Sequence, residues 1–182
     1  STQAQNVVID DVTAPVPDLA ILPDVTAECS VAALIAPTAT DNCGGVVIVT
    51  NDAILPITAQ GTTVVTWTYD DGNGNTATQT QNVILDDITD PVPDVAVLPD
   101  INEACSVTTL TAPTATDNCA GTVTGTQPAV LPITFSTVIT WTYDDGNGNT
   151  ITQTQNVVIA DVTAPVPDVA ALPDITAECA VA

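Results

Sequence analysis

Residues 64–75 are Val-Val-Thr-Trp-Thr-Tyr-Asp-Asp-Gly-Asn-Gly-Asn, an alternating segment followed by a cluster of turn-forming residues. Val65, Trp67 and Tyr69 share one parity and threonines occupy the other, which is the period of two expected of a half-buried strand. The glycines and asparagines tolerate positive φ, so the chain is predicted to turn there. Residues 76–85 then predict a second strand that returns alongside the first.

Two further segments, residues 31–36 and 46–50, are β-branched or apolar runs and predict additional strands. No window has a convincing helical period. Six or seven short strands in a unit of about 75 residues are typical of a small immunoglobulin-like sandwich. We therefore expect an all-β protein, built as tandem immunoglobulin-like β-sandwich repeats in a linear array.

The chain repeats itself. The segment that begins at Asp11 recurs at Asp87 and Asp161, with offsets of 76 and 74 residues. Such internal periodicity predicts an array of similar units. The connection from the second cysteine of a repeat to its tryptophan is two residues longer in the first repeat, which indicates a variable surface connection. The predicted units are the end of a preceding repeat (1–10), two complete repeats (11–86 and 87–160) and the start of a following repeat (161–182).

The charge is of one sign: the 182 residues include no lysine, arginine or histidine but 22 aspartates and glutamates. Without basic side chains the chain cannot neutralise phosphates, so we expect no nucleic acid partner. The longest apolar run, residues 31–36, is too short to span a bilayer, and no direct membrane contact is expected. A hydrophobic content of 45% is too high for a disordered acidic tail.

We expect no enzymatic activity. The chain lacks the residues that most often serve as general base or Schiff-base amine. The adjacent carboxylates Asp70 and Asp71 resemble a glycosidase pair in composition only, because neighbouring residues on one strand or turn point apart.

Each complete repeat contains two cysteines, which predicts disulfides formed in an oxidising compartment. We favour pairing within each repeat, Cys29 with Cys43 and Cys105 with Cys119, since each closes a short loop. A bridge between repeats, Cys29 with Cys119, remains the alternative, because an extended strand over residues 30–36 would hold Cys29 away from Cys43. Four buried, unbonded thiols are the other reading.

Acidic and amide side chains gather in three segments of each repeat: the entry segment, the loop before the second cysteine and the hairpin after the tryptophan. In an immunoglobulin-like sandwich these segments converge at the junction with the preceding repeat, where six to eight oxygens would suit Ca²⁺. Turn capping by the same side chains is the alternative. Glu28 receives no site role, because its glutamate is displaced by one residue in the second repeat. The candidate metal ligands are Asp11, Asp41, Asp70, Asp71, Asn73, Asn75, Asp87, Asp117, Asp144, Asp145, Asn147 and Asn149.

The Pro-Thr-Ala-Thr-Asp-Asn-Cys motif at 37–43 and 113–119, together with residues 63–77, resembles the hyalin repeat (HYR) family. Its members are immunoglobulin-like extracellular modules associated with adhesion. The near-identical acidic copies also resemble the giant surface adhesins of gliding Bacteroidetes. That resemblance implies cell-surface display as a filament, type IX secretion and gliding motility, with neighbouring repeats as partners and surface polysaccharide bound through other regions.

These observations predict a structural and adhesive stalk segment. The alternative is a Ca²⁺-dependent carbohydrate-binding module whose acidic loops present the ion to glycan hydroxyls. Trp67 and Trp141 are expected to pack in the core, because each lies mid-strand among apolar neighbours instead of forming an exposed sugar-stacking platform.

Overall fold

The computed structural model describes residues 1–168, 172, 174–176 and 178, and within them the regular structure is entirely β. No helix capable of crossing a membrane occurs in this described part. The strands are β1 (Val16–Pro17), β2 (Val25–Ala27), β3 (Ala39–Thr40), β4 (Ile48–Asn51), β5 (Gly61–Asp70), β6 (Thr76–Leu85), β7 (Val92–Pro93), β8 (Ile101–Glu103), β9 (Thr114–Asp117), β10 (Gly121–Thr124), β11 (Thr137–Asp144) and β12 (Thr150–Ile159).

The first repeat contains a four-stranded sheet in the order β2-β6-β5-β4 and a two-stranded sheet, β1-β3. Its central hairpin pairs β5 with β6 antiparallel, from Gly61 opposite Leu85 to Asp70 opposite Thr76. β2 lies parallel to β6 on the other side. The last residue of β2 is therefore beside the last residue of β6, at the end where the chain leaves for the second repeat.

The second repeat is organised similarly around the β11-β12 hairpin, with β8 parallel to β12. Its other sheet has the order β10-β9-β7. A single bridge between Thr126 and Thr142 joins the chain after β10 to β11.

Each repeat has a core of its own, and the alternating residues form it as predicted. Val65, Trp67 and Tyr69 are at most 1% exposed, and they pack with Val83 and Leu85 of β6. The predicted all-β sandwich-repeat fold is confirmed. The two tryptophans are core residues, since Trp141 occupies the same position in the second cluster.

The predicted turn after β5 is present, and Gly72 and Gly74 there have φ of 80° and 106°. Residues with a side chain rarely adopt such positive φ values, which explains why glycine occupies both positions. The strand predicted over residues 31–36 is wrong: Val31 alone pairs, by an isolated bridge to Ile57. The chain then leaves the sheet, because Leu34 packs against the core whereas Ile35 is 93% exposed. The strand expected over 46–50 begins at Ile48.

Candidate metal site at the repeat junction

One disulfide joins the two repeats: Cys29 is bonded to Cys119, with 4.9 Å between their Cα atoms. The favoured pairing within each repeat is wrong for this structure. Cys29 follows β2 at the end of the first repeat that faces the second, and the backbone of Asp86 bonds to Ala27 there. Cys43 instead lies beside Asp11, where the chain enters the first repeat. Cys43 and Cys105 are free and exposed thiols.

Hydrogen bonds cross the same junction. Glu28 Oε2 accepts from Thr89 Oγ1 at 2.8 Å and from Asn118 Nδ2 at 2.7 Å, both in the second repeat. Gln60 donates from Nε2 to the Glu28 carbonyl at 2.8 Å, and its Oε1 accepts the Asp87 N–H at 3.1 Å. Glu28 and Gln60 therefore tie the repeats together.

Sequence reasoning missed both of these residues. The sequence gives Glu28 no site role because its counterpart is displaced by one residue, and Gln60 lies in the longer connection whose length difference indicates a variable surface. Their positions in the sequence could have identified both residues. Glu28 directly precedes Cys29, and the two extra residues of the first repeat occur near Gln60.

Three carboxylates meet on the second repeat's side of the junction. Asp87 from the entry segment, Asp117 from the end of β9 and Asp145 after β11 each place a carboxylate oxygen within 4.8 Å of the other two. Asp87 is 5% exposed and Asp117 is 4% exposed. We call Asp87, Asp117 and Asp145 the junction carboxylates. A Glu28 carboxylate oxygen also lies within 4.8 Å of one from Asp87.

Asp117 has an unsatisfied oxygen. Its Oδ1 accepts the backbone N–H groups of Cys119 at 2.8 Å and Ala120 at 2.7 Å. Its Oδ2 is buried and, among the described residues, no donor reaches it. A buried carboxylate oxygen without a partner is costly. The geometry therefore favours a cation at this oxygen.

The two asparagines of the hairpin orient Asp87. Asn147 Nδ2 donates to Asp87 Oδ2 at 2.9 Å, and Asn149 Nδ2 donates to the Asp87 carbonyl at 3.0 Å. The Asn147 amide nitrogen therefore donates to a junction carboxylate, and the Asn149 amide nitrogen donates to the backbone of the same residue. Asp144 lies outside the cluster and caps the turn, since its Oδ1 accepts the N–H of Gly146 at 2.9 Å.

The first repeat has a counterpart, in which carboxylate oxygens of Asp11 and Asp41 lie within 4.8 Å of each other and of the Cys43 sulfur. Asp41 Oδ2 is a buried oxygen without a hydrogen-bond partner, like Asp117 Oδ2. The remaining predicted ligands surround Asp11 or cap the turn: Asn73 Nδ2 donates to Asp11 Oδ2, Asn75 Nδ2 to the Asp11 carbonyl and to Asp71 Oδ2, and Asp70 Oδ1 accepts from Gly72.

Two aspartates of the hairpin turns, Asp145 and Asp71, are held in the charged form. Burial acts to raise the pKa of Asp145, but the Asn149 side chain and the backbone N–H groups of Asn147, Gly148 and Asn149 outweigh it, and the pKa is lowered. At Asp71 burial likewise acts to raise the pKa, but the Asn75 side chain and the backbone N–H groups of Asn73, Asn75 and Gly74 lower it. Both residues therefore present ionised carboxylates at neutral pH.

The donor set suits a hard divalent cation. Ca²⁺ is bound by carboxylate and carbonyl oxygens, and the junction carboxylates supply the former from three separate segments. The chain contains no lysine, arginine or histidine side chain to offset their mutual repulsion. Bound Ca²⁺ would neutralise this repulsion and provide the partner that Asp117 Oδ2 lacks.

No family model matches the chain. Over 145 residues it is 37% identical to hyalin from Lytechinus variegatus, and the match spans 71% of this chain and 27% of hyalin. The chain thus covers about a quarter of that relative's length. Among solved structures, human protocadherin-24 EC1-2 aligns over 84% of this chain and 100% of its own, with 12% identity and a TM-score of 0.39. The protocadherin GammaB4 extracellular domain aligns over 80% and 32%, with 13% identity and a TM-score of 0.34. The similarity to hyalin supports the hyalin-repeat resemblance that the residue motifs carry.

Proposed function

We propose that this chain is a structural and adhesive stalk segment of a long extracellular repeat protein at a cell surface. The observation that carries the proposal is the Cys29–Cys119 disulfide, which links consecutive repeats covalently. Glu28 and Gln60 add hydrogen bonds across the same junction. A spacer that holds a distal adhesive region away from a cell needs such fixed junctions, because a flexible junction shortens the mean reach of the chain.

Ca²⁺ is proposed as the second element that stiffens the junction. Asp87, Asp117 and Asp145 would hold it, and Asp11, Asp41 and Asp71 would form the equivalent site of the first repeat. The unpartnered oxygen of Asp117 supports this proposal. Because Asp87 belongs to the segment that links the two repeats, an ion bound there would restrain that segment.

The wider setting follows from the resemblance to the gliding Bacteroidetes adhesins. It comprises type IX secretion, display as a filament and a part in gliding motility, with surface polysaccharide bound outside this segment. A glycan-binding role for the segment itself is less favoured, since Asp87 and Asp117 are buried and an ion between them would be enclosed.

The test is a measurement of inter-repeat rigidity. Thr80 and Thr154 are exposed and equivalent in the two repeats, so each is replaced by a non-natural amino acid that carries a spin label without thiol chemistry. The width of the label-to-label distance distribution is recorded by pulsed electron resonance in Ca²⁺ or EGTA, with the disulfide oxidised or reduced. We expect the narrowest distribution in Ca²⁺ with the disulfide intact, and broadening after either treatment.

Matched variants separate the contributions. Asp117→Asn should abolish the response to Ca²⁺ and keep the response to reduction. Asp90→Asn removes one exposed charge and serves as the control, because alanine occupies the equivalent positions 14 and 164. Identical widths in Ca²⁺ and EGTA would refute the metal proposal. A broad distribution under every condition would refute the stalk.

A further inference from the structure

The free thiols of Cys43 and Cys105 occupy the positions of the two bonded cysteines. Cys43 corresponds to Cys119, since both end the same seven-residue motif. Both also have the same local geometry: the Cys43 N–H donates to Asp41 Oδ1 at 2.9 Å, and the Cys119 N–H donates to Asp117 Oδ1 at 2.8 Å.

Cys105 corresponds in the same way to Cys29. Each follows a short strand by two residues, and each of those strands, β2 and β8, lies parallel to the last strand of its repeat. Cys29 lies where the first repeat meets the second, so Cys105 lies at the outgoing end of the second repeat. The two exposed thiols are therefore at the entry end of one repeat and the outgoing end of the other.

We propose that Cys43 and Cys105 form a head-to-tail disulfide between two copies of this chain. Cys105 of one copy bonds to Cys43 of the next copy. The Cys29–Cys119 bond is the structural precedent, because the same two kinds of position already form a disulfide within this chain. This inference adds a partner to the proposed stalk and does not depend on metal binding.

The chemistry is a thiol–disulfide exchange with a small disulfide oxidant such as oxidised glutathione. The Cys105 thiolate attacks one glutathione sulfur and releases the first glutathione thiolate. The Cys43 thiolate of the second copy then attacks the Cys105 sulfur and releases the other. Two protein thiols are oxidised to one disulfide, and one oxidised glutathione is reduced to two molecules of glutathione, which take up the two protons.

Since the thiolate is the nucleophile, the assay is run at about pH 8.5.

The test uses the full chain with Cys179, which lies outside the described residues, replaced by serine. The chain is incubated with oxidised glutathione in Ca²⁺ and, separately, in EGTA. Products are separated on non-reducing gels, and their bonds are mapped by mass spectrometry. We expect a ladder of concatemers in which Cys43–Cys105 links are about tenfold more abundant than either homotypic link, a ratio that modest contact specificity provides.

Two single variants show which cysteine of one chain pairs with which cysteine of the other. A mixture of Cys43→Ser and Cys105→Ser chains should stop at the dimer, joined by the one remaining Cys105 and the one remaining Cys43, while neither variant alone should dimerise appreciably. Cys29–Cys119 stays intact in both. A statistical mixture of the three link types would overturn the proposal. Glutathione adducts without concatemers, with both thiols shown to be reactive towards maleimide, would overturn it equally.

Discussion

Trp67 donates a hydrogen bond of 3.0 Å from its indole Nε1 to Gln81 Oε1 inside the first core, on the adjacent strand of the hairpin. The second repeat contains the same bond, from Trp141 to Gln155 at 3.0 Å. Gln81 Nε2 donates in turn to the Pro23 carbonyl at 2.9 Å. One buried amide thus satisfies the indole and attaches the segment before β2 to the sheet.

Replacing this glutamine by leucine should destabilise the first repeat. Gln81→Leu leaves the buried indole N–H of Trp67 without an acceptor, at a cost of about 1–3 kcal/mol. Thermal unfolding followed by tryptophan fluorescence measures the change. Thr80→Val, an exposed substitution on the same strand, is the control and should have little effect. Equal melting temperatures for the two variants would show that the hydrogen bond contributes nothing.

Removing the charge of Glu28 should not lower the melting temperature without Ca²⁺, but it should reduce the stability gained from Ca²⁺. Glu28→Gln retains a hydrogen-bond acceptor for Thr89 but removes a like charge near Asp87, worth about 1 kcal/mol at this separation in high dielectric. In EGTA the variant should therefore melt at the same temperature as the parent or above it. In Ca²⁺ it should gain less stability than the parent does. Glu103→Gln, an exposed substitution outside the junction carboxylates, should change neither melt.

Asp94 makes the stability of the fold depend on pH, and two threonines determine the sign of this dependence. Hydrogen bonds from Thr114 Oγ1 at 2.5 Å and Thr116 Oγ1 at 2.7 Å lower its pKa. A carboxyl whose folded pKa is depressed stabilises the fold above its unfolded pKa, and this stability is lost as the pH falls through the folded value. Thr116→Val should therefore raise the pKa of Asp94 and reduce the loss of stability on acidification.

The direct measurement is an NMR titration of the Asp94 carboxyl carbon in the parent and the variant. Asp18, its counterpart in the first repeat, accepts a bond from Thr38 and provides an internal reference that the substitution leaves unchanged. An unaltered Asp94 titration in Thr116→Val would contradict the assignment of the shift to this threonine.

A side chain at Gly125 would meet its neighbours at less than ordinary van der Waals distance. A Cβ there would be 3.2 Å from the Pro113 carbonyl oxygen and 3.2 Å from Cε1 of the buried Tyr143. Gly125→Ala should cost about 1–3 kcal/mol, the usual penalty for overpacking a core. Denaturant unfolding of the second repeat checks it, with the exposed Thr122→Ala as control. A midpoint equal to that of the control would mean that Pro113 moves freely.

The strands and cores were predictable because their signal is local. The alternation of Val65, Trp67 and Tyr69 is enough to define a half-buried strand, whatever lies around it. The segment after Val31 gave a false signal, because a short apolar run also occurs where a chain crosses the edge of a core, as it does at Leu34.

The candidate site was predictable only in part. That Asp87, Asp117 and Asp145 come together followed from the loop arrangement of an immunoglobulin-like sandwich. The disulfide pairing depends instead on how one repeat is placed against the next, which short spacings along the chain do not encode. For the same reason Glu28 was missed: its partners Thr89 and Asn118 belong to the other repeat.

The bond between Cys29 and Cys119, 90 residues apart, closes a covalent ring through both repeats. A protease that cuts one exposed loop of this ring, such as residues 42–46, produces two fragments that sulfur still holds together. The two fragments stay joined after the cut, and they separate only when a reductant also breaks the disulfide. Mechanical continuity of the chain therefore does not rest on its peptide bonds alone.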